Sequence, residues 1–404
     1  MISRRQLFAL PFALRGGALP PVRPITRGPR FHWFGYYDKW QFDATGRYAL
    51  GMEVDFEHRS PEPEDEIRLG LIDLHDGDRW TDIGSTCAWN WQQGCMLQWL
   101  PGSKTDVIWN DRQDGQFVSI MLNVKTGKRR TLPSPVYCVS PDARWAVLPD
   151  FRRLNDCRPG YGYAGIPDPN AARPAPDDAG IWRMNLRTGR SSLIIPFSEI
   201  VKVPNPDGSR PWAEEDAKSW FNHLLYSTDG SRFIFLHRWR GPKEGRSFAT
   251  RMFTASGDGK DLFVLDPYGK TSHFIWRDAN HVLAWAWHPS RGDKFYLYRD
   301  RSTQVEAVGP EVMTVNGHCT YLPGGRYILN DTYPDRDRLQ HVYLYEIATR
   351  RRIAVGDFLS PAAYAGEWRC DTHPRYSPDG KRAMIDSAHQ GGRQMYLIDL
   401  SELT

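Results

Sequence analysis

What the chain lacks narrows it first. Its 404 residues carry 52 Lys or Arg against 48 Asp or Glu, a net charge of +4. That balance offers neither nucleic acid nor a membrane surface an electrostatic handle. No apolar run reaches the roughly 18 residues that a membrane-crossing helix requires. The six cysteines, Cys87, Cys95, Cys138, Cys157, Cys319 and Cys370, stand at no paired spacing that demands a disulfide framework. Long helical periodicity is missing. So are a nucleophile motif, a phosphate-binding glycine loop and the paired carboxylates of a typical glycosidase.

What is present repeats. Ser377-Pro378-Asp379-Gly380-Lys381 is a tight-turn sequence, with Pro setting φ and Asp-Gly supplying the left-handed position. Related turns begin near Phe42, Leu100, Ser140, Ser227, His288 and Leu322, which makes seven. Most are followed by an alternating apolar strand running into a polar turn, as in Ile120–Gly127 and Ile181–Gly189. Units of about 40 to 60 residues with several strands each are the signature of a β-propeller. The 13% aromatic content suits half-buried pleated surfaces. The expected fold is therefore all-β, a seven-bladed propeller closed by strands from both termini, occupying residues 30–404 as one domain. A single two-sheet sandwich of this length would be unusually large.

Three segments depart from the repeat. Residues 1–20 contain Ser3-Arg4-Arg5-Gln6-Leu7-Phe8 and a short apolar stretch, similar to a twin-arginine export signal. The expected location is outside the cytoplasm if that signal acts, and cytoplasmic otherwise. Residues 151–179 and 203–219 are Pro-rich insertions, and loops of this length in compact blades are often functional. Near the start, Phe31–Lys39 is dense in aromatics, with His32 and Tyr37 as candidates for the central cavity.

The histidines carry the functional signal. His223, His273, His318 and His373 sit at matching places beside blade starts. Equivalent positions in successive blades converge on the propeller axis, so the four should face one central site. His237, Arg238 and Arg251 add cations, and a His/Arg pocket suits an anionic ligand such as a uronic acid. Cys370 and His373, three residues apart, have a spacing that puts both on one metal.

His223–Gly230 with Phe235–Arg238, then Thr250–Phe253 and Ser272–Trp276, resembles the oligogalacturonate lyases, and more broadly the seven-bladed propeller ulvan lyases. The resemblance covers about residues 220–400. It implies that His273 is the catalytic base, that Arg251 and His223 serve the substrate pocket, and that His318 binds metal. The Gln-x-x-His-Pro-His metal motif of those lyases reads Cys370-Asp371-Thr372-His373-Pro374-Arg375 here, with Cys at the first ligand and Arg at the last. The expected metal set is thus His318, Cys370 and His373, with Asp331 as a further ligand. A Cys/His set prefers zinc over manganese or calcium. The activity implied is β-elimination on a uronic-acid-containing glycan, by a monomer whose partner is an anionic oligo- or polysaccharide. His273 would take the C5 proton, Arg251, His223, His237, Arg238 and Tyr37 would hold the substrate, and Tyr37, Tyr161 or Tyr163 would protonate the leaving oxygen. Two alternatives stay open: a glycoside hydrolase using Glu53 and Asp55, and a non-catalytic propeller that binds sugar or protein.

Overall fold

The repeated turn is built by the residues that announce it. In Ser227–Arg232 the Ser227 hydroxyl donates to Asp229 at 2.7 Å and accepts the Arg232 N–H at 3.1 Å, while the Gly230 N–H reaches the Ser227 carbonyl at 2.9 Å. Ser377–Arg382 repeats these bonds at 2.5, 3.0 and 2.8 Å, and Ser140–Trp145 at 2.6, 3.0 and 2.8 Å. The side chains thus satisfy backbone groups that a reversing chain would leave bare. Six of the seven turns join the first and second strands of a blade. The seventh, at His288, instead joins the second and third strands of its blade, where the first turn is Asp278–His281.

The computed structural model describes residues 19–209, 216–242, 245 and 247–404. It contains seven four-stranded antiparallel sheets arranged as propeller blades. Their first, innermost strands are Phe31–Trp33, Gln98–Trp99, Cys138–Val139, Lys218–Tyr226, Thr271–Asp278, Thr320–Tyr321 and Arg375–Tyr376. The ring is closed as expected from both ends of the chain. Val22–Pro24 is the outer strand of the seventh blade, pairing Val22 with Ile398 and Pro24 with Tyr396. The propeller therefore begins ahead of residue 30. The export-signal residues up to 18 lie outside the described residues. Between the first two blades the packing is aromatic, with Trp33, Trp89, Trp91, Trp99 and Trp109 in one buried cluster. Each such side chain contributes about 1.5–3 kcal/mol on burial.

Two features shape the channel. In the first blade Trp33 pairs with Met52 and the next bridge is Phe42 with Ala49, so the residues between bulge out of the strand. This bulge carries Tyr36, Tyr37 and Asp38 into the axis. Gly35 permits it: its φ is +95°, and a Cβ there would lie 2.9 Å from the Gln93 backbone carbon. The second feature is the insertion at 151–179, between the second and third strands of the third blade, which opens with helix α1 (Phe151–Cys157). Arg153 clamps it, donating to the carbonyls of Ser219, Asn170 and Pro174 and to Asp168.

Candidate functional site

Four blades aim one imidazole each at the axis. His223 and His373 do so from left-handed backbone, with φ of 51° and 42°. That conformation is uncommon for non-glycine residues and tends to mark functional positions. His273 and His318 have ring centroids 4.1 Å apart, and His318 and His373 4.2 Å. His223 stacks on Phe274 at 3.8 Å, with Tyr37 5.7 Å from His223 and 6.0 Å from His273. The four rings thus converge on one central space.

Each ring is then oriented differently. Both Asp331 oxygens face the His318 Nδ1–H, at 2.9 and 3.0 Å, and its Oδ1 also takes the His318 backbone N–H. Asp331 Oδ2 accepts the Thr372 hydroxyl and the His373 N–H, so one carboxylate ties the sixth blade to the seventh. With Nδ1 so engaged, the His318 Nε2 turns inward, and neither it nor the His373 Nε2, which lies 3.9 Å from Asp371 Oδ2, has a hydrogen-bond partner among the described residues. Donor atoms of His318, Asp371 and His373 all lie within 4.8 Å of one another, and all three residues are buried. Unmatched polar atoms in such a place point to a ligand, because a buried donor or acceptor left alone costs about 1–3 kcal/mol. An imidazole pair plus a carboxylate, with Asp331 behind one imidazole, fits a divalent cation.

Cys370 is not part of that set. It packs in a small apolar cluster with Tyr364 and Ala388, and burial pushes its thiol up to about 12. The neighbouring Asp371 instead presents its carboxylate to the two imidazoles. Asp331 stands behind His318 as its orienting partner rather than within the trio. Without a thiolate the donor set does not favour zinc over manganese, since both metals accept imidazole and carboxylate. Arg375 fills the place of the last histidine of the lyase motif. It pairs with Asp386 at 2.8 Å and donates to Gln41, and Asp386 accepts the Phe34 and Gly35 N–H groups. It is a strut for the first-blade bulge.

His273 donates through Nδ1 to Asn316 Oδ1 at 3.0 Å, an assignment set by Asn316 Nδ2 donating to Ser272. Its Nε2 lone pair faces the channel, 3.5 Å from the Tyr333 hydroxyl. Burial, then the neighbouring His318, hold it well below the usual histidine range, so it is neutral near pH 7. His223 is lowered to about 4, burial outweighing its bond to Asp38.

The proposed substrate-holding residues divide. Arg251 donates to the Val203 and Ile200 carbonyls and to Asn205, and its Nη2 lies 3.5 Å from His237 Nδ1. His237 also meets Ser219. Arg251 braces the 200–205 segment against the fourth blade, His237 sits beneath it against Ser219, and no contact joins either to the histidine cluster among the described residues. The rest of the 203–219 insertion includes residues outside those described. Tyr37 is closed to a ligand, because its hydroxyl donates to the Phe274 carbonyl and accepts the Phe274 N–H. His32 lies off the axis, between Gln394 and Glu53. Arg238 does face the channel. It is buried, and its Nε and Nη1 have no partner among the described residues. Burial, then Arg158, lower it to about 9.

The rim holds residues the sequence did not single out as a set. Arg158 and Arg238 flank Phe248 at 4.7 and 4.9 Å, and Arg158 lies 4.4 Å over the Tyr161 ring. Arg369 Nη2 donates to the Tyr161 hydroxyl at 2.7 Å and its Nε to Asp371 at 2.6 Å. The band from Arg238 through Arg158, Tyr161, Arg369 and Tyr333 to His273 is continuous. The Arg158-Pro-Gly-Tyr161 stretch inside an insertion was its only sequence signal.

No family model matches the chain, and no curated protein matches it in sequence. Solved structures do match. In fold the chain is similar to oligogalacturonate lyases. One, in complex with manganese, superposes with a TM-score of 0.67 at 16% identity, over 94% of this chain and 93% of its own. The oligogalacturonate lyase of Vibrio parahaemolyticus gives 0.66 at 13%, with the same coverage. A puromycin-hydrolysing peptidase of Mycobacterium tuberculosis gives 0.55 at 12%, over 91% of this chain but only 53% of its own. At these identities the likeness is one of fold, and the similar proteins include both lyases and peptidases.

Proposed function

We propose that the chain is a carbon–oxygen lyase that cleaves a uronic-acid-containing glycan by β-elimination. The observation that carries this reading is the neutral His273, its Nδ1–H tied to Asn316 and its Nε2 lone pair turned to a channel lined by unmatched guanidinium groups. Those guanidiniums suit a carboxylate, which must be neutralised before the proton beside it can be removed. In this reading Arg238 and Arg158 hold the carboxylate and His273 accepts the C5 proton. A divalent cation held by His318, Asp371 and His373 would supply Lewis-acid polarisation of the carboxylate. Arg251 acts only through the segment it braces, and His237 only through Arg251.

The two alternatives have less support. Glu53 is held by Arg30 and Arg68, each at 2.7 Å, and Asp55 stands out in solvent beside Arg30, so the two do not form an enclosed pair. A purely binding propeller would not need a buried imidazole held in one tautomer. The test is absorbance of the conjugated unsaturated uronate when purified protein, loaded with manganese or zinc, meets oligogalacturonate and other uronate glycans. Elimination by wild type and its loss in His273→Ala support the reading. Absence of the chromophore on every uronate glycan tried, or full activity in the variant, overturns it.

A further inference from the structure

Elimination needs an acid as well as a base, and the channel has several tyrosines to choose among. Tyr37 is committed to the Phe274 backbone in both directions. Tyr163 is buried beneath the insertion, stacked on Phe151 at 4.3 Å, and its oxygen accepts from Asn110. The Tyr36 hydroxyl meets His223 Nδ1 at 3.4 Å, and the Tyr333 hydroxyl lies against His273 itself. Burial raises both of these phenols above the usual tyrosine range. Tyr161 differs from all four. Its oxygen accepts from Arg369, Arg158 lies over its ring, and its own proton has no acceptor among the described residues. The insertion fixes it there: a Cβ on Gly162 would sit 2.2 Å from the Asn155 backbone nitrogen, so only glycine lets the chain pass helix α1 this closely.

We infer that Tyr161 is the general acid of the reaction proposed above, carried to the channel by the third-blade insertion. The inference rests on that reading. In the step, the C5–H electron pair becomes the C4=C5 π bond as His273 Nε2 takes the proton. The C4–O4 bond breaks, and O4 keeps its electron pair and receives the Tyr161 proton. The product is an unsaturated uronate and a sugar hydroxyl. Arg369 and Arg158 stabilise the phenolate left behind, and water returns a proton from the His273 imidazolium to Tyr161. The charged and titratable groups that face Tyr161 are Arg158, Arg369, Arg238, Asp371, Tyr36 and Tyr333. Burial alone would raise the phenol, but Arg369 and Arg158 outweigh it and bring it down to about 7. An acid with a pKa near the working pH transfers protons most effectively.

The test compares two substrates in the metal-loaded protein. On oligogalacturonate, Tyr161→Phe should lower kcat by about 10²–10⁴-fold. On a uronide bearing dinitrophenolate at C4, which leaves without protonation, the same variant should stay within about tenfold of wild type, whereas His273→Ala should fail on both. Retained kcat on the natural glycan, or equal losses on both substrates, overturns the role of Tyr161 while leaving the lyase reading in place. Absence of elimination by wild type on either substrate removes both. A readout free of turnover is phenolate absorbance near 295 nm, wild type minus Tyr161→Phe. One tyrosine ionising near neutrality is expected, and ionisation only near the ordinary pKa of about 10 would also overturn the inference.

Discussion

The two halves of the ring contribute to the channel in opposite ways. Blades four to seven each supply one histidine from an equivalent position at or near the innermost strand, and together these make the floor. Blades one to three supply no such residue. They give a bulge that sets Tyr36 and Tyr37 against the histidines and an insertion that brings Arg158 and Tyr161 to Arg369. The repeating half thus provides convergence, and the non-repeating half closes and charges the space. Repetition fixes where side chains meet, but only an irregular segment can cross the axis.

Breaking the link between the halves should have the largest effect on stability. Arg375→Ala strands Asp386 as a buried charge beneath the first-blade bulge, at a cost of about 3–5 kcal/mol in denaturant unfolding. A variant as stable as wild type would show that the bulge is held by other means. Within the repeating half, Asp331→Asn should weaken metal binding about 10–100-fold by releasing His318, read by metal titration. Cys370→Ser should leave that titration unchanged, because its sulfur faces Tyr364 and Ala388.

The two arginines of the fourth blade sharpen the contrast further. Arg251→Gln should cost about 1.5–3 kcal/mol for each charge-assisted hydrogen bond lost and leave oligogalacturonate affinity nearly intact. Arg238→Gln should do the reverse, raising KM about tenfold, a loss of about 1.4 kcal/mol of binding, with Tm unchanged. If both variants shift only Tm, the channel arginine is structural as well.

The smallest effect is on pH. Tyr161 is held at about 7, below its unfolded value, so its ionised form adds stability that is complete above about pH 10 and is lost as pH falls through about 7. The Tm advantage of wild type over Tyr161→Phe should therefore grow between pH 6 and 9, on the order of 3 °C in a chain of this length. An advantage that is flat or shrinks over that range would separate Tyr161 from its arginines.

Much of this was readable in the chain. The Ser-x-Asp-Gly turns are local, each closed by bonds within six residues, and so blade number and the convergence of four histidines followed from sequence. Register determined what repeats. Which side of a short stretch faces the axis did not repeat: Cys370 and Asp371 are adjacent, and packing against Ala388 turned the thiol outward and the carboxylate in. Arg251 and Arg238 are both buried cations of one blade, yet only the tertiary structure gave one the carbonyls of residues 200–203 and left the other unmatched. Tyr161 meets Arg369 across 208 residues of chain. Local hydrogen bonding could encode the scaffold in short segments, whereas the site depended on which distant loops shared the low-dielectric space above the channel, and that was decided by packing.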